Sequence, residues 1–228
     1  VKQGGDAILQ EADNRANPAD DVTRKVKMIL RGGGDDGKEI ILKQLTKDGK
    51  RTAIRFAKPA DLKGMGLVIK SASEIYVKLP GSKKVRRVAA HAKKQGFQGT
   101  DFSMDDLKML RFGPYFTATV KSQEGKDVVL TLTRKDGVDV PYSKIEIAME
   151  KTILIPRDLT YFDDDGVKVK QQKRHGLKND SAGYPTYYKG TMTDFTRNHS
   201  TDMEVLEQIT DKKISEKTFT KRWLIRGT

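Results

Sequence analysis

Val22-Thr23-Arg24-Lys25-Val26-Lys27-Met28-Ile29-Leu30-Arg31 is followed at once by Gly32-Gly33-Gly34-Asp35-Asp36-Gly37. Val22, Val26, Met28 and Leu30 alternate with Thr23, Lys25, Lys27 and Arg31, which is the period-two pattern of a strand with one wet and one covered face. The glycine- and aspartate-rich run turns the chain. Downstream the pattern repeats. Residues 38–46 form a second strand, Asp48-Gly49 signals a hairpin, and residues 50–56 place Thr52, Ile54 and Phe56 on one face and Arg51 and Arg55 on the other. Residues 67–71 and 74–79 continue it, with Ile75, Val77 and Leu79 against Glu74, Tyr76 and Lys78, and Pro80-Gly81-Ser82 leads into a basic strand around Val85 and Val88.

Two short helices interrupt the strands. Residues 7–15, with Ile8, Leu9 and Ala12 on one side, are amphipathic and end near Asn17-Pro18. Ser103 can cap a second helix, with Asp106 as a weaker form of the capping-box acid; Leu107 and Leu110 give it an apolar edge and Gly113-Pro114 stops it. Strands return at Phe116 to Val120, Val128 to Leu132, Ile145 to Met149 and Leu159 to Phe162, and residues 186–195 and 200–206 read as a final hairpin. No fixed-period repeat and no long linker divides the chain, so residues 1–228 are expected to form a single domain. The fold class is mainly β (α+β), a meander of antiparallel hairpins. One-sided alternation requires something on the covered face: a second sheet, helices or an apolar ligand. Two architectures satisfy it, a curved sheet or incomplete barrel partly filled by a ligand, and a closed barrel or sandwich filled by its own side chains.

The chain carries 44 Lys and Arg against 31 Asp and Glu, a net charge of +13 over 228 residues, and no cysteine. Zero cysteine excludes a disulfide scaffold, thiolate metal sites and a cysteine nucleophile. No apolar run reaches the roughly 18 residues needed to span a bilayer. Val1, without a Met, reads either as the true start of a soluble protein or as the trimmed start of an exported one; we expect the second, anchored if a lipidated Cys precedes Val1. The cations are dispersed as strand faces disperse them. They concentrate once, at Lys83, Lys84, Arg86 and Arg87, followed by His91, Lys93 and Lys94. That stretch reads as a solvated face or a contact for anionic lipid or an acidic partner. It lacks the aromatic interleaving that stacks on bases, so no nucleic-acid partner is expected.

Catalytic and metal motifs are absent. Gly32-x4-Gly37-Lys38 has phosphate-loop spacing, but Glu39 replaces the magnesium-binding hydroxyl and Asp35 and Asp36 repel phosphate. Asp163-Asp164-Asp165-Gly166 fails as a calcium loop, because Tyr161 and Gln172 fall where carboxylates are required. His91, His175 and His199 are isolated among polar residues and read as surface histidines. The expectation is a protein that is not an enzyme, without metal or cofactor.

The segment Arg55-Phe56-Ala57-Lys58-Pro59-Ala60-Asp61-Leu62-Lys63-Gly64-Met65-Gly66-Leu67 resembles the RF-x-x-P-A-D-x-K-G-x-G-L segment of the outer-membrane lipoprotein-sorting protein family, the LolA-like proteins often associated with RND/MMPL-type transporters. Tyr76-Val77-Lys78-Leu79-Pro80 with Lys84-Val85-Arg86-Arg87-Val88 resembles that family's next strand pair. Gly96-Phe97-Gln98-Gly99-Thr100-Asp101-Phe102-Ser103-Met104-Asp105-Asp106-Leu107 resembles its G-S-F-M-G-T-D-F-S-Y-E-D-L segment, and Phe219-Thr220-Lys221-Arg222-Trp223-Leu224 its closing F-T-x-R-Y-L. Pro156 through Asp163, with Gly166 to Lys170, is similar to a further hairpin of the family. Gln98, Met104 and Trp223 depart from the residues usual there, and no counterpart is quoted for a loop at residues 173–186.

The resemblance implies an unclosed antiparallel β-barrel whose concave apolar face is covered by short helices (LolA/LolB-like), in the bacterial periplasm, carrying lipid, lipoprotein acyl chains or another apolar ligand. A transporter partner and peripheral contact with membrane are further expectations. At about 0.8 kcal/mol per buried methylene, a chain of about 14 carbons gains on the order of 10 kcal/mol before ordering costs. The alternating faces nominate Ile54, Phe56, Leu67, Ile69, Ile75, Val77 and Leu79 as cavity lining. Leu107 and Leu110 are nominated as a movable lid that few residues anchor.

Overall fold

The computed structural model describes residues 4–89 and 96–226. His91, Lys93 and Lys94 of the basic stretch lie outside the described residues.

Helix α1, Gly5–Ala16, buries Ile8, Leu9 and Ala12 and ends at Asn17, as its apolar stripe predicts. Strands β1 (Asp21–Arg31), β2 (Glu39–Lys47), β3 (Arg51–Lys58), β4 (Gly66–Ile69), β5 (Ile75–Lys78) and β6 (Val85–Arg87) follow. Helix α2, Met104–Lys108, separates them from β7 (Phe116–Ser122), β8 (Asp127–Arg134), β9 (Lys144–Glu150), β10 (Asp158–Phe162), β11 (Lys168–Asn179), β12 (Pro185–Asp194) and β13 (His199–Thr210). Helix α3, Lys221–Arg226, closes the described chain. The segment at 173–186 is not a loop. Most of it is the end of β11 and the start of β12, paired from Lys173 with Thr191 to Lys178 with Thr186, and only residues 180–184 turn. Its period-two signal is hidden because most of these side chains are exposed, so no apolar phase marks the strand.

Among the described residues all thirteen strands belong to one antiparallel sheet in the order β6-β5-β4-β3-β2-β1-β13-β12-β11-β10-β9-β8-β7. Two meanders are joined where β1 pairs with β13, from Val22 opposite Thr210 to Arg31 opposite Ser200. Among the described residues the edge strands β6 and β7 do not pair with each other, so the barrel is unclosed. The sheet is nevertheless strongly curled. At about 4.8 Å per strand, β3 and β10 would stand roughly 30 Å apart if it were flat, yet Phe56 of β3 and Tyr161 of β10 line one cavity.

The concave face holds the main core, running from Leu30, Ile40, Ile54 and Leu67 across to Leu130, Ile147 and Leu159. Strands β8 and β9 show the expected alternation of buried and less buried positions. Strand β4 departs from it, since all four of its residues are buried. The outer face there is covered by the C-terminal segment: Ala53, Val68 and Tyr76 pack with Ile214, Phe219 and Leu224 in a second core. Gly66 permits this, because a Cβ there would sit 2.7 Å from Leu224 Cδ2. The Arg55 guanidinium lies 4.2 Å from the Trp223 ring centroid and donates to the carbonyls of Trp223 at 2.7 Å and Leu224 at 3.2 Å.

Candidate functional site: an apolar cavity under helix α2

The curled sheet and the segment over it enclose a cavity of about 230 Å³. Its floor comes from β1, β2, β3, β10, β11, β12 and β13, and includes Val26, Met28, Leu42, Met192 and Val205. Its roof is the stretch from Phe97 to Phe112, which contributes Phe97, Phe102, Leu107, Met109, Leu110 and Phe112.

Local sequence explains how the roof is held. Gly99 has φ +83°, a backbone state that glycine adopts without strain. Thr100 Oγ1 donates to the Phe97 carbonyl at 2.7 Å, and the Phe97 N–H donates to the Phe102 carbonyl at 2.8 Å, closing a tight loop. Ser103 then caps α2 in a full capping box: its Oγ accepts from the Asp106 N–H at 3.1 Å, while Asp106 Oδ2 accepts from the Ser103 N–H at 2.7 Å. Phe97 meets Phe56 of the floor edge-on, with ring centroids 5.5 Å apart.

Helix α2 is far better anchored than its length suggests. Asp106 pairs with Lys170 of β11 at 3.1 Å and accepts from the Tyr142 hydroxyl at 2.7 Å. Burial, and then the neighbouring Asp106 charge, push the Tyr142 hydroxyl well above its ordinary acidity range. Lys108 and Asp105 form a buried ion pair at 2.6 Å, and Lys108 also donates to the Asp139 carbonyl. The loosely held lid expected from sequence is therefore corrected: besides its apolar edge, the helix is tied by Asp106 to β11 and by Asp106 and Lys108 to the loop between β8 and β9. On the C-terminal side of α2, Asp13 of α1 accepts from the Phe112 and Gly113 N–H groups at 2.9 and 2.8 Å. Burial pushes the Asp13 carboxyl up, opposed by those two bonds.

His199 corrects a second expectation. It is buried, and its Nδ1 lies 2.7 and 2.9 Å from the two carboxylate oxygens of Asp101. A carboxylate only accepts, so Nδ1 carries the proton. Thr201 Oγ1 donates to the same carboxylate at 2.6 Å, and Lys170 Nζ donates to the Asp101 carbonyl at 2.8 Å. The Asp101 in the resemblance segment is thus a staple fixing the roof to β13 and β11. His175 is exposed, as expected.

Of the side chains nominated from sequence, Ile54, Phe56, Leu107 and Leu110 line the cavity. Leu67, Ile69 and Ile75 are fully buried beside it in the main core, and Val77 packs against that core half-buried. Leu79 is misassigned: it lies beyond the end of β5 and is 43% exposed. Alternation was extrapolated one residue past the strand, into the turn at Pro80-Gly81. Lys83, Lys84, Arg86 and Arg87 are exposed at and beside the edge strand β6. The two lining arginines, Arg24 and Arg174, were missed. Arg24 had a signal, for it occupies the apolar phase of Val22-x-Arg24-x-Val26-x-Met28. Among the described residues no cluster of three potential metal ligands occurs. Asp163 instead accepts from the Asp165 and Val167 N–H groups as an ordinary turn. No described helix is long and apolar enough to cross a membrane.

Three solved structures share this architecture from end to end. A candidate outer membrane lipoprotein-sorting protein domain from Vibrio parahaemolyticus superposes with a TM-score of 0.85 at 23% identity, covering 97% of this chain and 98% of that one. A DUF1329 family protein from Desulfovibrio piger gives 0.87 at 19% identity, over 96% and 97% of the two chains. A LolA superfamily protein from Nitrosomonas europaea gives 0.81 at 17% identity, over 97% and 99%. No curated protein sequence matches the chain significantly. A family model described as "uncharacterized protein"-like matches residues 48–226, which span β3 to α3 and contain every resemblance segment. The chain therefore belongs to that family, and its fold is the unclosed barrel of the LolA-like, outer-membrane lipoprotein-sorting proteins.

Proposed function

We propose that this protein is a periplasmic carrier that holds lipid, a lipoprotein acyl chain or another apolar ligand between the curled sheet and the roof over it. The supporting observation is the cavity itself: a space of about 230 Å³ left in an otherwise well-filled concave face, lined mainly by methionine, phenylalanine and aliphatic side chains. Interiors of this kind normally close such gaps with side chains. Methionines 28, 192 and 203 and Met109 suit a ligand of variable shape, since thioether chains repack at little cost. A carrier needs no chemistry on its cargo, and binding and release suffice. Native mass spectrometry of the purified protein and titration with a fluorescent fatty acyl probe test the reading. Co-purifying lipid or saturable uptake is expected, and absence of both would overturn it.

The basic edge supports a second contact. Among the described residues Lys83, Lys84 and Arg86 make no ion pair, and Arg87 spends its guanidinium on the Ser73 carbonyl. We propose that this surface meets anionic lipid or an RND/MMPL-type transporter during loading. Reversing Lys84, Arg86 and Arg87 to Glu should abolish liposome binding while leaving acyl-probe uptake intact.

A further inference from the structure

Two guanidinium groups reach the lining of this mainly apolar cavity, Arg24 from β1 and Arg174 from β11, alongside the carboxylates of Asp13 and Asp106. They are separated in the sheet by β13 and β12 and brought together by its curl. Arg174 stands opposite Gly190 of β12, where a Cβ would lie 2.9 Å from the Lys173 carbonyl oxygen, so glycine permits the close approach of β11 and β12 beside the arginine. Neither arginine has a carboxylate within ion-pair distance among the described residues. Arg24 donates from Nε to Gln208 Oε1 at 2.7 Å, and among the described residues its Nη1 and Nη2 have no hydrogen-bond acceptor. Arg174 donates to the Pro156 carbonyl at 3.3 Å and to Gln172 Oε1 at 2.8 Å, both neutral acceptors.

The carboxylates that share the cavity wall are already engaged. Asp13 accepts from two backbone N–H groups, and Asp106 from Lys170, Tyr142 and the helix cap. Asp180 accepts from the same Gln208 at 2.8 Å, and its charge acts on Arg24 from beyond ion-pair distance. Two like charges are therefore held near each other, half-buried in the cavity wall, with no described carboxylate within ion-pair distance of either. Burial, and then the charge of Arg174, push Arg24 down to about 10. Such an arrangement is costly and is relieved by an anion, because charge-assisted bonds to a carboxylate or phosphate are the strongest the guanidinium makes.

We propose that Arg24 and Arg174 form the anion-binding end of the cavity, and that its ligand is an anionic amphiphile: an apolar chain ending in a carboxylate or phosphate. This rests on the cavity being a lipid site. Calorimetric titration of the intact protein with decanoate, decyl phosphate, 1-decanol and inorganic phosphate tests it. The expected result is at least about tenfold tighter binding of an anionic ten-carbon probe than of decanol. The ratio of decanoate to decyl phosphate identifies which head group the site prefers. In the double variant Arg24→Gln/Arg174→Gln the anionic probe should fall to the level of decanol, with decanol itself unchanged. Arg24→Lys/Arg174→Lys, which keeps the charge, should retain part of the preference if the glutamine pair does not fold. Decanol and decanoate binding the native protein equally would overturn the inference and leave the carrier reading standing. Inorganic phosphate binding as tightly as decyl phosphate would also overturn it, by showing a free-anion site. Failure of every chain-bearing probe to bind would sink the carrier reading together with it.

Discussion

Asp101 is fully buried, and its carboxylate is the common acceptor for His199 and Thr201 on β13. Removing it strands a ring N–H and a hydroxyl in a site that water does not reach, at about 1–3 kcal/mol each. Asp101→Ala should therefore lower the unfolding free energy by about 3 kcal/mol in urea titrations, whereas loss of under 1 kcal/mol would show that the roof is held without this staple. Among cationic residues, part of the +13 charge has a structural use. Lys144, Lys168, Lys178 and Lys221 lie 3.9 to 4.5 Å from the ring centroids of Phe162, Phe195, Tyr188 and Tyr76, so their charges and stems cover aromatic faces. Sequence showed these lysines as a dispersed wet face and could not show what each one covers. The Ser103 to Asp106 cap was legible because a capping box is a contact between residues three apart. The burial of His199 was not, because its partner Asp101 is almost a hundred residues away.

The C-terminal element illustrates what a short segment does by position alone. Helix α3 has six residues, too few to be stable by itself, and it persists because Leu224 is fully buried against Val68 and Tyr76 on the outer face of the sheet. Leu224→Ala should cost about 2–4 kcal/mol by cavity formation. Since this core lies on the opposite face of the sheet from the apolar cavity, the proposed acyl-probe affinity measured on the folded variant should not change. A large loss of affinity would mean that the two faces are coupled through β3 and β4. At this scale the strands and their turns were readable one at a time from alternation and from Gly-Asp pairs. The second half of β11 was not, since a strand with most of its side chains in solvent carries no apolar phase. Strand β4, apolar on both faces, carried a continuous run that alternation alone cannot assign.

At the scale of the whole molecule, Asp21 ties three distant parts of the chain. It accepts from Lys47 of β2 at 2.8 Å and from the Ile214 N–H at 2.8 Å, at the point where the two meanders meet. Burial would raise its carboxyl, but those two bonds and the charges of Lys47 and Arg51 outweigh it and hold the group below the ordinary carboxylate range. Asp180 is held low in the same way, burial being outweighed by bonds from Thr210, Tyr184, Gln208 and Ala182. A carboxylate depressed in the folded state stabilises fully above its unfolded value near 4, and that contribution is lost as pH falls below it through the lower folded value. Urea midpoints should therefore be insensitive to these groups from pH 5 to 7 and drop below about pH 4, and Asp21→Asn should lower the plateau and flatten the acid limb. An unchanged acid limb in that variant would exclude the role.

Alternation, turn residues and capping determined the strands, the hairpins and the two short helices of the first half, because each is set by residues within a few positions of one another. Tertiary structure alone decided that β1 closes against β13, that the sheet curls until β3 faces β10 across one cavity, and that the C-terminal segment covers the outside of β4. It also decided that Arg24 and Arg174 face the same space. Backbone pairing has the same hydrogen-bonding chemistry at every strand edge, so nothing local in the sequence says which edge a strand will join; the choice is made by how completely the joined strands can bury their apolar faces.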